Sequence, residues 1–198
     1  MRELVVQFFT YTATAALLEN LVLSRGLGIS TVLFSASGAK RIFQFGTLFT
    51  FMAFISSMLA CVINPFMAKL SFRAYIRPLV FILILTLLYY IVYFAAGRIM
   101  KSKGEYVRSY LPYATFNCSI LGVLYIALNG NYTFIQAAGF SIGSGVGFTL
   151  ASLLIAEGRR RLNTDRIPRS FRGLPVTLLY IGLISLALFG LIGHQLPF

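Results

Sequence analysis

Six apolar stretches, each roughly twenty residues long, occupy most of this 198-residue chain and limit the folds open to it. A helix that crosses a bilayer needs about 20 mostly apolar residues. Only 11% of the residues are charged, whereas a soluble domain carries about 25%. The sequence therefore predicts an all-α membrane protein, a single transmembrane domain over residues 1–198, with six transmembrane helices near 4–23, 42–63, 75–96, 110–128, 132–156 and 174–193.

The basic residues that produce the net charge of +12 lie mainly on one side of these predicted helices. Thirteen Lys and Arg fall in or beside the first, third and fifth connections, and four fall on the other side, namely Arg2, Lys69, Arg73 and Arg77. Because short cytoplasmic loops collect Lys and Arg, we expect these three connections in the cytoplasm and both termini outside. The charge thus indicates orientation in a lipid bilayer rather than a nucleic-acid partner.

Two short matches indicate an internal repeat. The tripeptide Ser-Phe-Arg begins at residue 71 and again 99 residues later, and Asn20 and Asn117, each followed by a Leu-Gly pair, are 97 residues apart. Each half, about 1–98 and 99–198, then holds three predicted helices. Repeats with an odd number of spans run in opposite directions through the bilayer, and their functional site lies near the midplane, where broken helices meet. We therefore predict two inverted three-helix repeats.

Two of the predicted helices contain residues that interrupt a helix. In the first region Gly26 and Gly28 lie between polar residues, so we expect a break there, with a half-helix that begins at Ser30. In the fourth, residues 115–119 are Thr-Phe-Asn-Cys-Ser, with four polar or thiol side chains in five positions. Irregular backbone at membrane depth is tolerated only where protein or a water-filled cavity covers it. The first and fourth helices are therefore predicted to be broken, at a subunit interface or ligand site.

Two other groups of residues have interpretations of their own. Glu19, near the end of the first predicted helix, is ionisable within the membrane and is therefore a candidate for an ion path, with a structural role as the alternative. Arg25 is expected to extend toward the cytoplasmic headgroups. Gly139, Gly143 and Gly147 are spaced four apart, which predicts a helix face that another backbone approaches closely.

Motifs spread over nearly the whole chain resemble one known family. They are Glu-Asn-Leu-Val-Leu-Ser from residue 19 with Leu-Gly at 27; Leu-Pro at 111, Asn-Cys at 117 and Leu-Gly at 121; Gly-Phe-Ser at 139 with Gly-Phe at 147; and Ile-Pro at 167, Phe-Arg-Gly at 171 and Gly-Leu at 182. In these motifs the sequence resembles the Rnf/Nqr family of respiratory membrane subunits, in particular the RnfA/NqrE type.

The resemblance implies six spans in an inverted repeat, in the cytoplasmic (inner) membrane of a bacterium or archaeon. It also implies a homologous membrane partner of opposite topology, together with other subunits that carry flavin and iron–sulfur groups. Such a complex moves electrons between ferredoxin or a quinone and NADH while it translocates sodium or protons. The enzyme would then be the complex and not this chain alone.

The resemblance further implies half of a [2Fe-2S] site, completed by two cysteines of the partner. Cys118 matches the ligand of the fourth helix, whereas the ligand position of the first helix is Ser30 in this sequence. The residues expected around the site are Asn20, Asn117, Gly28 and Gly122. Alternatives are a buried free thiol for Cys118 and a helix N-cap for Ser30. Cys61, the other cysteine, lies in the second predicted helix without a break around it.

Three functions follow as hypotheses. The first is a membrane electron-transfer subunit of an ion-translocating oxidoreductase complex. The second is a structural subunit of such a complex that has lost its cluster. The third is a small inverted-repeat transporter that binds an ion or metabolite at the midplane.

Overall fold

The computed structural model of the chain describes residues 2–35, 38–68, 72–99, 104–162 and 167–192. Its helices are α1 (Arg2–Ala13), α2 (Ile29–Ser35), α3 (Ala39–Ala68), α4 (Arg73–Ile99), α5 (Gly104–Thr115), α6 (Cys118–Asn129), α7 (Phe134–Leu162) and α8 (Leu174–Ile192). A π-helical segment, Thr14–Leu18, continues α1, and a 3₁₀ turn, Arg169–Phe171, precedes α8. Every regular element within the described ranges is helical, which agrees with the predicted all-α class.

Three of these helices, α3, α4 and α7, are long and apolar enough to cross a membrane. They overlap the predicted spans at 42–63, 75–96 and 132–156. Helices α5 and α6 meet at a bend of 49° and together can form a fourth span, while α8 is apolar but shorter. The chain is therefore a helical multi-pass membrane protein. The full set of six spans stays a prediction, and residue 193, the predicted end of the sixth, lies outside the described residues.

Helices α3 and α7 pack against each other in antiparallel directions. Where they meet, each helix presents a glycine to a threonine of the other: Gly46 lies against Thr149, and Gly145 lies against Thr50. The two glycines are 99 residues apart, as are the two threonines. This is the spacing of the Ser-Phe-Arg tripeptides, the first of which begins outside the described residues. The central helix pair thus makes the same contact twice, with the roles of the two helices exchanged.

Helix α1 lies along α7 and runs in the same direction. Gly139 and Gly143 of α7 face Thr12, and Gly147 faces Ala16. A Cβ atom at residue 143 would overlap the Thr12 carbonyl oxygen, so only glycine permits this approach of the two backbones. The Thr12 hydroxyl also donates a hydrogen bond to the Gly139 carbonyl (3.1 Å). The glycine face predicted from the sequence therefore packs against the first helix.

The prediction that the first helix continues to Leu23 is wrong, because its helical backbone ends at Leu18. The Asn20 carboxamide oxygen accepts hydrogen bonds from the backbone N–H groups of Val22 (3.1 Å) and Leu23 (3.2 Å). These bonds give the backbone an alternative to the helix. The chain then runs through turns until α2 begins at Ile29, one residue earlier than expected. The break therefore starts at the asparagine and not at the glycines that follow it.

Arg25 lies inside this break, whereas the sequence placed it in the connection to the next helix. Its guanidinium turns back toward the Glu19 carboxylate (3.3 Å), instead of extending as an isolated side chain toward the headgroups. The other twelve basic residues assigned to the predicted cytoplasmic side are unaffected, although Lys101, Lys103 and Arg166 lie outside the described residues. The orientation of the chain stays a prediction.

Candidate functional site

The two helix breaks lie beside the middle of α7. In the first break, the Asn20 carboxamide donates hydrogen bonds to the carbonyls of Ala16 (3.1 Å) and Gly147 (3.0 Å). The side chain is 3% exposed, and its amide therefore both ends the first helix and fastens the break to α7. Leucines 21 and 23 and Val22 are also buried. This burial of apolar side chains explains why an irregular segment is stable here.

The second break is short, because one asparagine begins the next helix directly after it. Asn117 is the N-cap of α6, and its side-chain oxygen accepts a hydrogen bond from the Ser119 N–H (3.0 Å). The side chain is buried, and within the described part of the chain its Nδ2 atom has no hydrogen-bond partner. Asn20 and Asn117 thus perform the same local task, which is to turn the backbone at a break.

The two breaks contact each other through polar groups. The Gly28 N–H donates to the Cys118 Sγ (3.1 Å), and the Ser119 hydroxyl donates to the Leu27 carbonyl (3.0 Å). Gly28 has φ +80°, and a Cβ atom there would overlap the Ser119 Oγ and crowd the Phe148 ring (3.1 Å). The backbone conformation and the lack of space therefore both require glycine at residue 28.

The apolar side of the same contact depends on a second glycine. At residue 122, in α6, a Cβ atom would lie 2.6 Å from the Leu27 Cδ1 atom and 3.5 Å from the Leu21 Cδ2 atom. Gly122 thus leaves room for the side chains of the first break. The residues expected around the site from the sequence, Asn20, Asn117, Gly28 and Gly122, are brought together by the fold.

Cys118 is the first residue of α6, and its side chain is exposed, so the interpretation of a buried free thiol is wrong. Ser30 is also exposed. It lies within the first turn of α2, because the Gly28 carbonyl already accepts a hydrogen bond from the Val32 N–H (3.0 Å). Ser30 is therefore not the N-cap. Cys61 is half-buried in α3.

A [2Fe-2S] cluster ordinarily needs four thiolates. Among the described residues, no group of three or more His, Cys, Asp or Glu side chains could hold a metal ion. The chain could therefore supply only part of such a ligand set. What it does present fits one ligand of a shared site, because the thiol faces outward from the chain and already accepts a backbone hydrogen bond.

Glu19 and Arg25 form an ion pair in the first break, next to this junction. Both side chains are partly exposed. The Ser24 hydroxyl donates to the Leu18 carbonyl (3.1 Å), which is one of the acceptors left free where the helix ends. On the far side of the break, Arg159 of α7 donates to the Leu33 carbonyl (2.9 Å) and so fastens α2 to the end of α7.

Sequence reasoning missed Ser119 and Leu27 as parts of the site. Ser119 belongs to the polar run at 115–119, which was identified, but a serine there is equally typical of a helix cap. Its partner is 92 residues away in the sequence. No local pattern connects the two residues.

The family model described as "Rnf-Nqr subunit, membrane protein" matches residues 8–194. The chain belongs to the Rnf-Nqr family of membrane subunits. The resemblance to the RnfA/NqrE type that the sequence motifs indicated is confirmed. This Rnf-Nqr subunit shares 32% identity over 183 residues with the A-type subunit of the Na(+)-translocating ferredoxin:NAD(+) oxidoreductase complex of Acetobacterium woodii. The match covers 92% of this chain and 95% of that relative.

Other relatives of this Rnf-Nqr subunit are named as A-type subunits of an ion-translocating oxidoreductase complex. The protein of Serratia proteamaculans is 33% identical, with 89% of this chain and 92% of the relative covered. That of Syntrophotalea carbinolica is 31% identical, with 90% and 93% covered. The similarity thus extends over nearly the full length of each relative.

Proposed function

We propose that this chain is the A-type membrane subunit of an ion-translocating oxidoreductase complex, and that Cys118 lies at an electron-transfer site shared with a second membrane subunit. The observation that carries the proposal is the contact between the two breaks. It places an exposed thiol, held by the Gly28 N–H, where the two halves of the chain meet. The full-length relatives, which are named as subunits of such complexes, support the same role.

The inverted repeat belongs to this proposal. The Gly46–Thr149 and Gly145–Thr50 contacts, and the matching roles of Asn20 and Asn117, support two inverted three-helix halves, 1–98 and 99–198. A homologous partner of opposite topology could then place its own breaks against these. We propose the cytoplasmic membrane as the location and both termini outside, on the distribution of basic residues. Further subunits that carry flavin and iron–sulfur groups would complete the complex.

The proposed iron site would use Cys118 as one ligand, two cysteines of the partner subunit, and Ser30 at the fourth position. A [2Fe-2S] group bound there would accept and donate one electron at a time. This chain contributes three things: a thiol at a helix N-terminus, an N–H donor to its sulfur, and a buried asparagine that fixes the turn. Hydrogen bonds to sulfur and solvent exposure are among the factors that set the potential of such sites.

The test is anaerobic purification through an affinity tag on this chain. We expect other membrane subunits to co-purify, with iron, acid-labile sulfide and a [2Fe-2S] electron paramagnetic resonance (EPR) signal in excess of what the soluble subunits hold. Co-purification without that excess iron would leave only the structural-subunit hypothesis. A chain that purifies alone and transports ions or metabolites in liposomes would instead favour the transporter hypothesis.

Ser30→Cys distinguishes a functional site from one that has lost its cluster. If the other three ligands are present, a thiolate at residue 30 should strengthen the EPR signal and raise the iron content, since thiolate is the usual ligand of these clusters. Because the Ser30 side chain is exposed, the substitution should not disturb packing. Ser24→Cys, another exposed serine in the same region, is the matched control and should change neither quantity. An unchanged signal in both variants would argue against residue 30 as a ligand position.

We also propose Glu19 as part of the ion path. Its carboxylate lies beside the middle of α7 and is neutralised by Arg25 (3.3 Å), so a cation would replace the guanidinium there. In liposomes that hold the complex, Glu19→Gln should lower electron-coupled uptake of sodium or protons several-fold, since the amide carries no charge. Glu157→Gln, which removes an exposed ion-paired carboxylate at the end of α7, should leave uptake unchanged.

The double variant Glu19→Gln/Arg25→Gln separates this role from a structural one. If the pair only stabilises the break, removing both charges should restore uptake toward the wild-type rate, because no unpaired charge remains. If Glu19 binds the ion, the double variant should stay as slow as Glu19→Gln. Restored uptake would therefore contradict the ion-path proposal.

A further inference from the structure

One peptide group of the first break is held at both ends by neighbouring residues of α6. The peptide between Leu27 and Gly28 accepts a hydrogen bond from the Ser119 hydroxyl on its carbonyl (3.0 Å) and donates its N–H to the Cys118 Sγ (3.1 Å). Because the peptide group is planar, the direction of its carbonyl determines the direction of its N–H. Ser119 therefore helps to set how the N–H points at the sulfur.

The hydroxyl of Ser119 is available for this contact because of the second break. Buried hydroxyls elsewhere in the chain bond the carbonyl four residues earlier in their own helix, as Ser56 does to Met52 (2.7 Å) and Ser152 does to Phe148 (2.7 Å). The residue four positions before Ser119 precedes the break and belongs to α5. The Ser119 hydroxyl reaches across to the first break instead, and the side chain is fully buried there.

The Cys118 sulfur has two polar neighbours of opposite kind. The Gly28 N–H is a donor toward the sulfur at 3.1 Å, and the Asn117 side-chain oxygen is an acceptor at 3.7 Å, placed to receive the thiol proton. When the sulfur is a thiolate ligand, only the donor contact is favourable. The same asparagine oxygen is already bound to the Ser119 N–H, which holds it in place. The orientation of the Gly28 N–H is therefore the contact that can vary.

We propose that Ser119 is a positioning residue that aims the Gly28 N–H at the Cys118 sulfur and thereby sets the reduction potential of the iron site. The inference rests on the function proposed above. An N–H donor to a ligand sulfur stabilises the extra negative charge of the reduced state more than it stabilises the oxidised state. A well-directed N–H thus raises the potential, and a misdirected one lowers it.

The experiment is a redox titration of the purified complex, followed by EPR. Ser119→Ala removes the hydroxyl and leaves the thiol in place, so we expect unchanged iron content and a more negative midpoint potential. Ser152→Ala is the matched control, because it removes another fully buried hydroxyl, one that bonds only its own helix. It should leave the potential unchanged.

A second variant tests the same peptide without touching Ser119. Gly122→Ala places a Cβ atom against the Leu27 side chain and displaces the peptide from its other side, so it should shift the potential in the same direction. This variant decides the matter if Ser119→Ala fails to retain iron. Iron at the wild-type potential in both variants would overturn the positioning role and leave the proposed function standing. Absence of the iron signal from the wild-type complex would contradict the proposed function itself.

Discussion

Cys118→Ala should abolish the iron signal assigned to this subunit in the purified complex, and with it electron transfer through the complex. Alanine removes the only exposed thiol among the described residues, and no other side chain beside the junction of the two breaks offers a sulfur ligand. Loss of one of four thiolate positions leaves the cluster without a full ligand set. Iron and acid-labile sulfide analysis, with EPR of the reduced complex, measures the effect.

The matched control is Cys61→Ala, which removes the other cysteine of the chain. Cys61 is half-buried in α3, away from both breaks, and it packs against the apolar core. Its replacement should cost some packing energy and leave the iron content unchanged. Equal loss of iron in the two variants would indicate unfolding rather than a ligand role. Normal iron in Cys118→Ala would contradict the proposed site.

The parts of the fold that depend on local sequence could be predicted. Long apolar runs identified α3, α4 and α7, because the length of an apolar helix follows from the thickness of the bilayer. The break at Asn117 was also predictable, since an asparagine that caps a helix acts on the backbone two residues away. The spacing of Gly139, Gly143 and Gly147 predicted a packing face for the same reason: three positions on one side of a helix lie in a row.

The end of the first helix could not be located in this way. Residues 21–23 are Leu-Val-Leu, which continues the apolar pattern, yet they lie in turns. What ends the helix is Asn20, whose side chain takes the N–H groups that follow and also bonds the Gly147 carbonyl, 127 residues away. Arg25 was misplaced as a consequence, because its place in the break depends on where the helix stops.

The site shows the same division between local and distant contacts. The type and position of Cys118, Asn117 and Gly28 could be identified from the sequence, because each residue has a local reason to lie at a break. The link from Ser119 to Leu27 could not, because it joins two segments that only the folded chain brings together. A serine carries no signal that distinguishes a cap from a hydrogen bond across the fold.

Gly143→Ala should be the most destabilising of the conservative substitutions in the α1–α7 contact. The added Cβ atom would overlap the Thr12 carbonyl oxygen and lie 2.8 Å from the Thr12 Cα atom, so one helix must move away from the other. Overpacking of this kind costs about 1–3 kcal/mol. For a chain of this size, each kcal/mol lowers the melting temperature by roughly 2–4 °C. Since the sequence contains no Trp, a fluorescent fusion and size-exclusion chromatography after heating would measure the loss.

The matched control is Gly182→Ala in α8, where an added Cβ atom meets nothing within 4 Å. Alanine is favoured over glycine inside a helix by about 1 kcal/mol, so this variant should be neutral or slightly more stable than the wild type. The two substitutions are chemically identical and share the gain in helix propensity, and they differ only in what the new methyl group contacts. Opposite signs would therefore assign the loss in Gly143→Ala to the close approach of α1. A similar small gain in both variants would mean that α1 does not pack against α7 at this distance, and the position of the first break beside the middle of α7 would have to be revised with it.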